Sequence, residues 1–135
     1  MEKLIIKNAK SLHGEVVISG AKNSSLPILA ATILAEGTFN ISNIPYLRDI
    51  NTMFKLLDNI GVTSIFKDNK AVIVNNNTKD YEAPYELVKT MRASIVMLGP
   101  LLAKKGKAKV SLPGGCAIGK DLLIYTLQPL KKWVL

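Results

Sequence analysis

The sequence predicts a mixed α/β (α+β) fold. Three observations carry that prediction. Apolar runs with helical spacing alternate with short β-branched runs. A polar turn, Lys67-Asp68-Asn69-Lys70, sits between two such short runs and reads as a hairpin. The order helix, strand, helix, hairpin then starts again with a helix and a strand, the mark of an internal repeat. With 135 residues, 48% hydrophobic and 21% charged, the chain has the size and composition of a globular domain with its own core.

Taken in order, residues 4–7 and 15–19 read as two strands turned at Leu12-His13-Gly14. Residues 26–35 are apolar on nearly every face and predict a buried helix. Asn23, Ser24 and Ser25 are good capping residues for it, and Pro27 is tolerated in a first turn. Glu36-Gly37 ends that helix and residues 38–42 form a strand. Residues 48–60 are amphipathic: Ile50, Met53, Phe54 and Leu57 fall three and four apart, and Gly61 is a natural C-terminal cap. Residues 62–66 and 71–74 make the hairpin, and 75–83 a polar loop. Residues 85–103 predict a helix that Pro100 bends or breaks. A strand over 109–112 then leads to the chain's only cysteine.

The repeat is visible in the letters: residues 33–42 line up with 101–111, allowing one extra residue. The first copy runs on into the helix from Asp49 to Gly61. The second should do the same after Gly119, yet residues 120–135 follow another pattern, with Pro129 and the only tryptophan, Trp133. Read one base earlier, from the last base of the Lys120 codon, degenerate codons allow Arg-Pro-Ile-Asp-Leu-His-Phe-Thr-Ala-Phe-Glu-Lys-Met-Gly-Ala. The glycine in that string is forced by Trp133 and Val134. A single-base loss in an A-rich stretch near Lys120 is therefore the expected origin of the tail.

The formal net charge of +8 points to an anionic partner. Aromatics are only 6% and do not interleave with the basic residues, which disfavours a nucleic-acid platform and leaves a phosphorylated small molecule. One cysteine cannot form an internal disulfide, Met1-Glu2-Lys3-Leu4 lacks a leader pattern, and no run reaches membrane-span length. A cytoplasmic setting is the expectation.

Three short motifs carry chemistry. Cys116 lies in Pro113-Gly114-Gly115-Cys116-Ala117-Ile118-Gly119, a glycine-rich loop that follows Lys104, Lys105, Lys107 and Lys109. Nearby cations favour a reactive thiolate, and an inert loop cysteine is the alternative. Lys22-Asn23 precedes the first apolar helix, and Met91-Arg92-Ala93-Ser94 lies in the later one. Together with Ser19-Gly20-Ala21 and Ser24-Ser25-Leu26-Pro27, these motifs resemble the UDP-N-acetylglucosamine enolpyruvyl transferases. The resemblance runs continuously over residues 1–119, and the cysteine loop separates this family from its enolpyruvyl-shikimate-phosphate sister.

The resemblance implies transfer of enolpyruvyl from phosphoenolpyruvate to the 3′-hydroxyl of UDP-N-acetylglucosamine, the first committed step of peptidoglycan synthesis, without metal or organic cofactor. It implies that Lys22 and Asn23 bind phosphoenolpyruvate and that Arg92 binds the nucleotide sugar or another anionic group. Cys116 would be the general acid toward the methylene carbon, able to form a covalent phosphoenolpyruvate adduct and to react with the epoxide fosfomycin. Its loop, Pro113, Gly114, Gly115, Ala117, Ile118 and Gly119, would be a closing lid. The implied fold is part of an inside-out α/β barrel of βαβαββ repeats. Residues 1–21 would be strands that pack into a second domain, 22–119 an incomplete first domain, and 120–135 an aberrant tail. The partners would be the two small substrates, with no nucleic acid and no membrane, and the family enzyme would work as a monomer.

The same resemblance places a general-base aspartate and a further phosphate-binding arginine outside this chain. Asp121 stands where the family has an arginine, which puts an anion at a phosphate site. This chain alone is expected to have little or no activity, as a truncated enzyme or a non-catalytic pseudogene or fragment product. A small basic nucleic-acid-binding module is the remaining alternative. Plainer readings stand beside each residue: Lys22 as a solvated lysine, Asn23 as a cap, Arg92 paired with Glu86, His13 exposed in its turn, and Lys104–Lys109 as a solvated helix end.

Overall fold

The computed structural model describes residues 3–8, 10–89 and 91–111. In chain order the elements are α1 (Lys22–Ala31), β1 (Gly37–Ile41), α2 (Arg48–Asn59), β2 (Thr63–Lys67), β3 (Lys70–Asn75), β4 (Glu82–Ala83), α3 (Tyr85–Val88), a 3-10 helix (Arg92–Met97), α4 (Leu98–Lys105) and β5 (Lys109–Val110). The mixed α/β expectation holds. Among the described residues there is no closed barrel, only a three-stranded sheet and a separate two-stranded pair.

The larger sheet is antiparallel in the order β1-β3-β2. Alternation fixes which side of β3 meets the helices: Ala71, Ile73 and Asn75 are buried while Lys70 and Val72 are exposed. The register puts Phe39 and Ser64 either side of Ile73, and Ile41 and Phe66 either side of Ala71. On that face pack Leu26, Leu29, Ala30 and Ile33 from the first helical segment and Ile50, Met53, Phe54 and Leu57 from α2. Full burial of one such Leu or Ile contributes roughly 1.5–3 kcal/mol.

The hairpin turn follows from its two central residues. Asp68 and Asn69 both have positive φ, 50° and 58°, the requirement of a two-residue hairpin whose twist matches its strands. Asn69 is tied down as well: its side-chain amide donates to the Ile44 carbonyl at 2.8 Å, and its own carbonyl accepts from the Ile44 N–H at 2.9 Å. The end of α2 is equally determined. Gly61 takes φ 89°, the Gly61 N–H donates to Asp58 O, and the Val62 N–H donates to Leu57 O, which is the Schellman closure. Leu57 and Val62, the apolar pair of that motif, are both fully buried.

Several expectations are corrected. Residues 4–7 and 15–19 form no strand; Leu4, Ile6, Val16, Val17 and Ile18 are at least 78% exposed, and among the described residues no neighbouring strand offers them a ladder. The first helix begins at Lys22, so Asn23, Ser24 and Ser25 lie inside it and cap nothing. The Ser24 and Ser25 hydroxyls donate back to the Ala21 carbonyl at 3.0 and 2.9 Å, satisfying themselves within the turn. Nor is that segment buried all round: Ile28 and Leu34 are about half exposed.

The expected helix over 85–103 is three pieces. Its break comes before Arg92, where Met91 is extended at φ −129°, ψ 103°. Pro100 sits in the first turn of α4, where a missing N–H costs nothing, and Lys104 and Lys105 suit the C-terminal end of that helix. The supposed polar loop holds a buried clamp. Asn75 is fully buried and donates to the carbonyls of Thr32, Ile33 and Ala35, while Thr78 donates to its Oδ1. It also holds β4, which pairs in parallel with β5 across the α3–α4 crossover.

Candidate functional site

The chain approaches α1 through a tight passage. The Gly20 N–H donates to Asn43 Oδ1 at 2.9 Å, and a Cβ on Gly20 would lie 1.8 Å from the Asn43 carbonyl oxygen. Only glycine fits there. Asn43 itself adopts φ 58°, a left-handed conformation that asparagine tolerates. The loop after β1 thus fixes where α1 starts.

Lys22 is the first residue of α1, and Ala21 before it supplies no side-chain cap. The first-turn amides therefore keep donor capacity, and no acidic residue occupies that turn. The Lys22 ammonium donates to Asp49 Oδ2 at 2.9 Å. Asp49 lies in the first turn of α2, where the helix dipole favours a carboxylate. The pair brings the starts of α1 and α2 within side-chain reach of one another. Lys22 is 45% exposed and Asp49 27%, so solvent still reaches the ammonium.

Asn23 stands beside Lys22 in the same turn, exposed. Arg92 begins the 3-10 helix, an element that packs against α1. Two residues later the Ser94 hydroxyl is fully buried with no hydrogen-bond partner among the described residues. Cys116, the loop residues expected to form a lid (Pro113, Gly114, Gly115, Ala117, Ile118 and Gly119) and Asp121 lie outside the described residues. The structure therefore brings the Lys22 turn and the Arg92 element onto one helix pair and does not extend to the cysteine.

Sequence reasoning passed over Asp49, reading it only as the start of an amphipathic helix. Its position as an acid in a first turn was visible; its contact with Lys22, 27 residues earlier, was not. The lysines of the 104–109 cluster are more engaged than a solvated helix end. Lys104 pairs with Glu36 at 3.2 Å, Lys109 with Glu82 at 2.9 Å, and Lys107 sits 4.2 Å over the Tyr81 ring. The hydrogen bond to Glu82 raises the Lys109 pKa. Glu86 pairs with Lys89, three residues on, just past the end of α3. His13 is exposed, as expected.

A groove of about 520 Å³ runs between α2 and α3, lined among others by Tyr46, Arg48, Asn51, Lys55 and Lys89. It includes neither Lys22 nor Asn23. Among the described residues no three His, Cys, Asp or Glu side chains converge as metal ligands, and no helix is long and apolar enough to cross a membrane.

A glycine-gated Lys-Asn turn that opens a helix on a small antiparallel sheet is thus the unit to set beside known protein families. The chain belongs to the EPSP synthase (3-phosphoshikimate 1-carboxyvinyltransferase) family, whose model matches residues 6–132, past Gly119 and into the tail. Within that family its curated relatives include UDP-N-acetylglucosamine 1-carboxyvinyltransferases. The protein of that name from Geotalea uraniireducens is 58% identical over 119 residues, covering 88% of this chain and 28% of the relative. That from Shewanella piezotolerans is 56% identical over 133 residues, covering 98% and 32%. The chain thus spans about a third or less of the length of these relatives. Among solved structures, the enolpyruvyl transferase NikO from Streptomyces tendae matches with a TM-score of 0.64 at 23% identity, over 72% of this chain and 23% of that one, a likeness of fold.

Proposed function

We propose that this chain carries part of the substrate site of a UDP-N-acetylglucosamine enolpyruvyl transferase. The observation that supports this best is Lys22, held at the uncapped start of α1 with its ammonium still open to solvent. An ammonium has three donors, and Asp49 takes one. The others, with the α1 amides, suit the phosphate or carboxylate of phosphoenolpyruvate. Asn23 adds a neutral hydrogen-bonding group in the same turn. Arg92, from the element packed on α1, supplies a planar cation for the nucleotide sugar.

In the reaction the sugar 3′-hydroxyl gives its proton to the general-base aspartate that the resemblance places outside this chain, its oxygen bonds to C2 of phosphoenolpyruvate, and Cys116 delivers a proton to the methylene carbon. Loss of a proton from that carbon with departure of phosphate restores the double bond. Lys22 neutralises the phosphate as it leaves. Cys116 and its glycine loop act as acid and lid. The setting is cytoplasmic, the unit works as a monomer, and it has no nucleic-acid or membrane partner. Residues 22–119 are an incomplete first domain, the exposed segment before them belongs against a second domain, and the tail from 120 lacks the family's arginine. The chain alone therefore binds weakly and does not turn over.

A phosphate-release assay with both substrates tests this. The expected result is no release above background, together with phosphoenolpyruvate binding that Lys22→Ala weakens. Turnover near that of a full-length relative contradicts the first part, and binding unchanged in Lys22→Ala contradicts the second.

A further inference from the structure

We propose that Asp49 is a positioning residue for Lys22, holding its ammonium where an anion meets it at the start of α1. The inference rests on the reading of Lys22 given above. Lysine has a long flexible stem, and a half-exposed ammonium has no fixed place unless something holds it. Here Asp49 Oδ2 holds it at 2.9 Å, from a different helix. Asp49 is itself fixed, because α2 is anchored by Ile50, Met53 and Phe54 in the core and lies against α1. The contact thus transfers the rigidity of α2 to the tip of Lys22. Asp49 uses one of three ammonium donors, so the pair orients the cation without exhausting it.

The proposal has a sign that distinguishes it from simple electrostatics. Asp49 is a negative charge beside a site for anions. By Coulomb's law alone, its removal strengthens anion binding. If Asp49 acts by positioning Lys22, its removal weakens binding, because the ammonium loses its place. In a chain without the ammonium only the Coulomb effect remains, so there removal of Asp49 does not weaken binding.

The test is phosphoenolpyruvate affinity of the 135-residue chain, measured by titration calorimetry for the unaltered protein, Asp49→Asn, Asp49→Glu, Lys22→Met and the Asp49→Asn, Lys22→Met double variant. Circular dichroism of each shows whether the helices remain. The expected result is about fivefold weaker binding in Asp49→Asn, within the range of couplings between residues in contact. Asp49→Glu restores most of it, and Asp49→Asn causes no further loss in the Lys22→Met background. Binding by Asp49→Asn as tight as or tighter than the unaltered chain overturns the proposal. A loss of the same size in the Lys22→Met background also overturns it, because the effect then does not pass through Lys22. Unchanged binding in Lys22→Met overturns the reading of Lys22 itself, and is recognised separately from either result at Asp49.

Discussion

Gly20 and Asn43 are locked together: the Gly20 N–H donates to the Asn43 side chain, and the Asn43 carbonyl fills the space a Gly20 side chain would need. The turn that presents Lys22 and Asn23 is therefore set by a loop 23 residues later in the chain. Gly20→Ala should cost on the order of 1–3 kcal/mol, the range for forcing atoms into an occupied site. Gly14→Ala, with nothing within 4 Å of the new methyl, is the matched control. Urea titration of the two variants checks this; equal midpoints would count against the locked passage.

Asn75 carries the join between the first helical segment and the sheet. Its amide satisfies up to three carbonyls at the end of that segment, in a fully buried position. Asn75→Leu fills the volume and leaves those carbonyls without a donor. The expected loss is about 1–3 kcal/mol. Asn75→Asp should be worse, since a carboxylate would face the same carbonyls. Chemical denaturation monitored by circular dichroism reads both, and an Asn75→Leu chain as stable as the parent would refute the clamp.

Gly61 closes α2 in a left-handed conformation, and a Cβ there would also press on the Lys79 side chain at 3.0 Å. Gly61→Ala is expected to cost about 1–2 kcal/mol from backbone strain alone. Gly99→Ala, inside α4 with open space around it, should be neutral or stabilising. Thermal melts that fail to separate the two would contradict the Schellman assignment.

Much of this architecture was legible in the letters, for physical reasons that differ between elements. The α2 stripe of Ile50, Met53, Phe54 and Leu57, closed by Gly61, and the Asp68-Asn69 hairpin are local patterns, and both appear in the structure at nearly the expected bounds. The break before Arg92 was not legible, because residues 93–98 are almost continuously apolar and give no period to interrupt. The strand β4 is two residues long and exists only because β5 returns beside it. Asn75 looked like a loop residue because its partners lie about 40 residues away. At the site, Lys22, Asn23 and Arg92 came from motif resemblance, whereas Asp49 emerged only when two helices were seen to share one end.

The tail makes a prediction about the gene. With a lost base restored near the Lys120 codon, the shifted frame would place an arginine at Asp121 and a glycine at Trp133-Val134. Resequencing that stretch from genomic DNA should show the shifted string continuing in the family's pattern. An intact downstream frame with no homologous string would sink the idea.

The central claim is that Lys22 and Cys116 serve one phosphoenolpyruvate site. The direct measurement is the rate of Cys116 alkylation by iodoacetamide in the 135-residue chain, with and without phosphoenolpyruvate, beside Lys22→Ala. The account predicts that phosphoenolpyruvate slows alkylation in the unaltered chain and leaves the rate in Lys22→Ala unchanged. Equal rates with and without phosphoenolpyruvate in the unaltered chain, or equal protection in both chains, would contradict it.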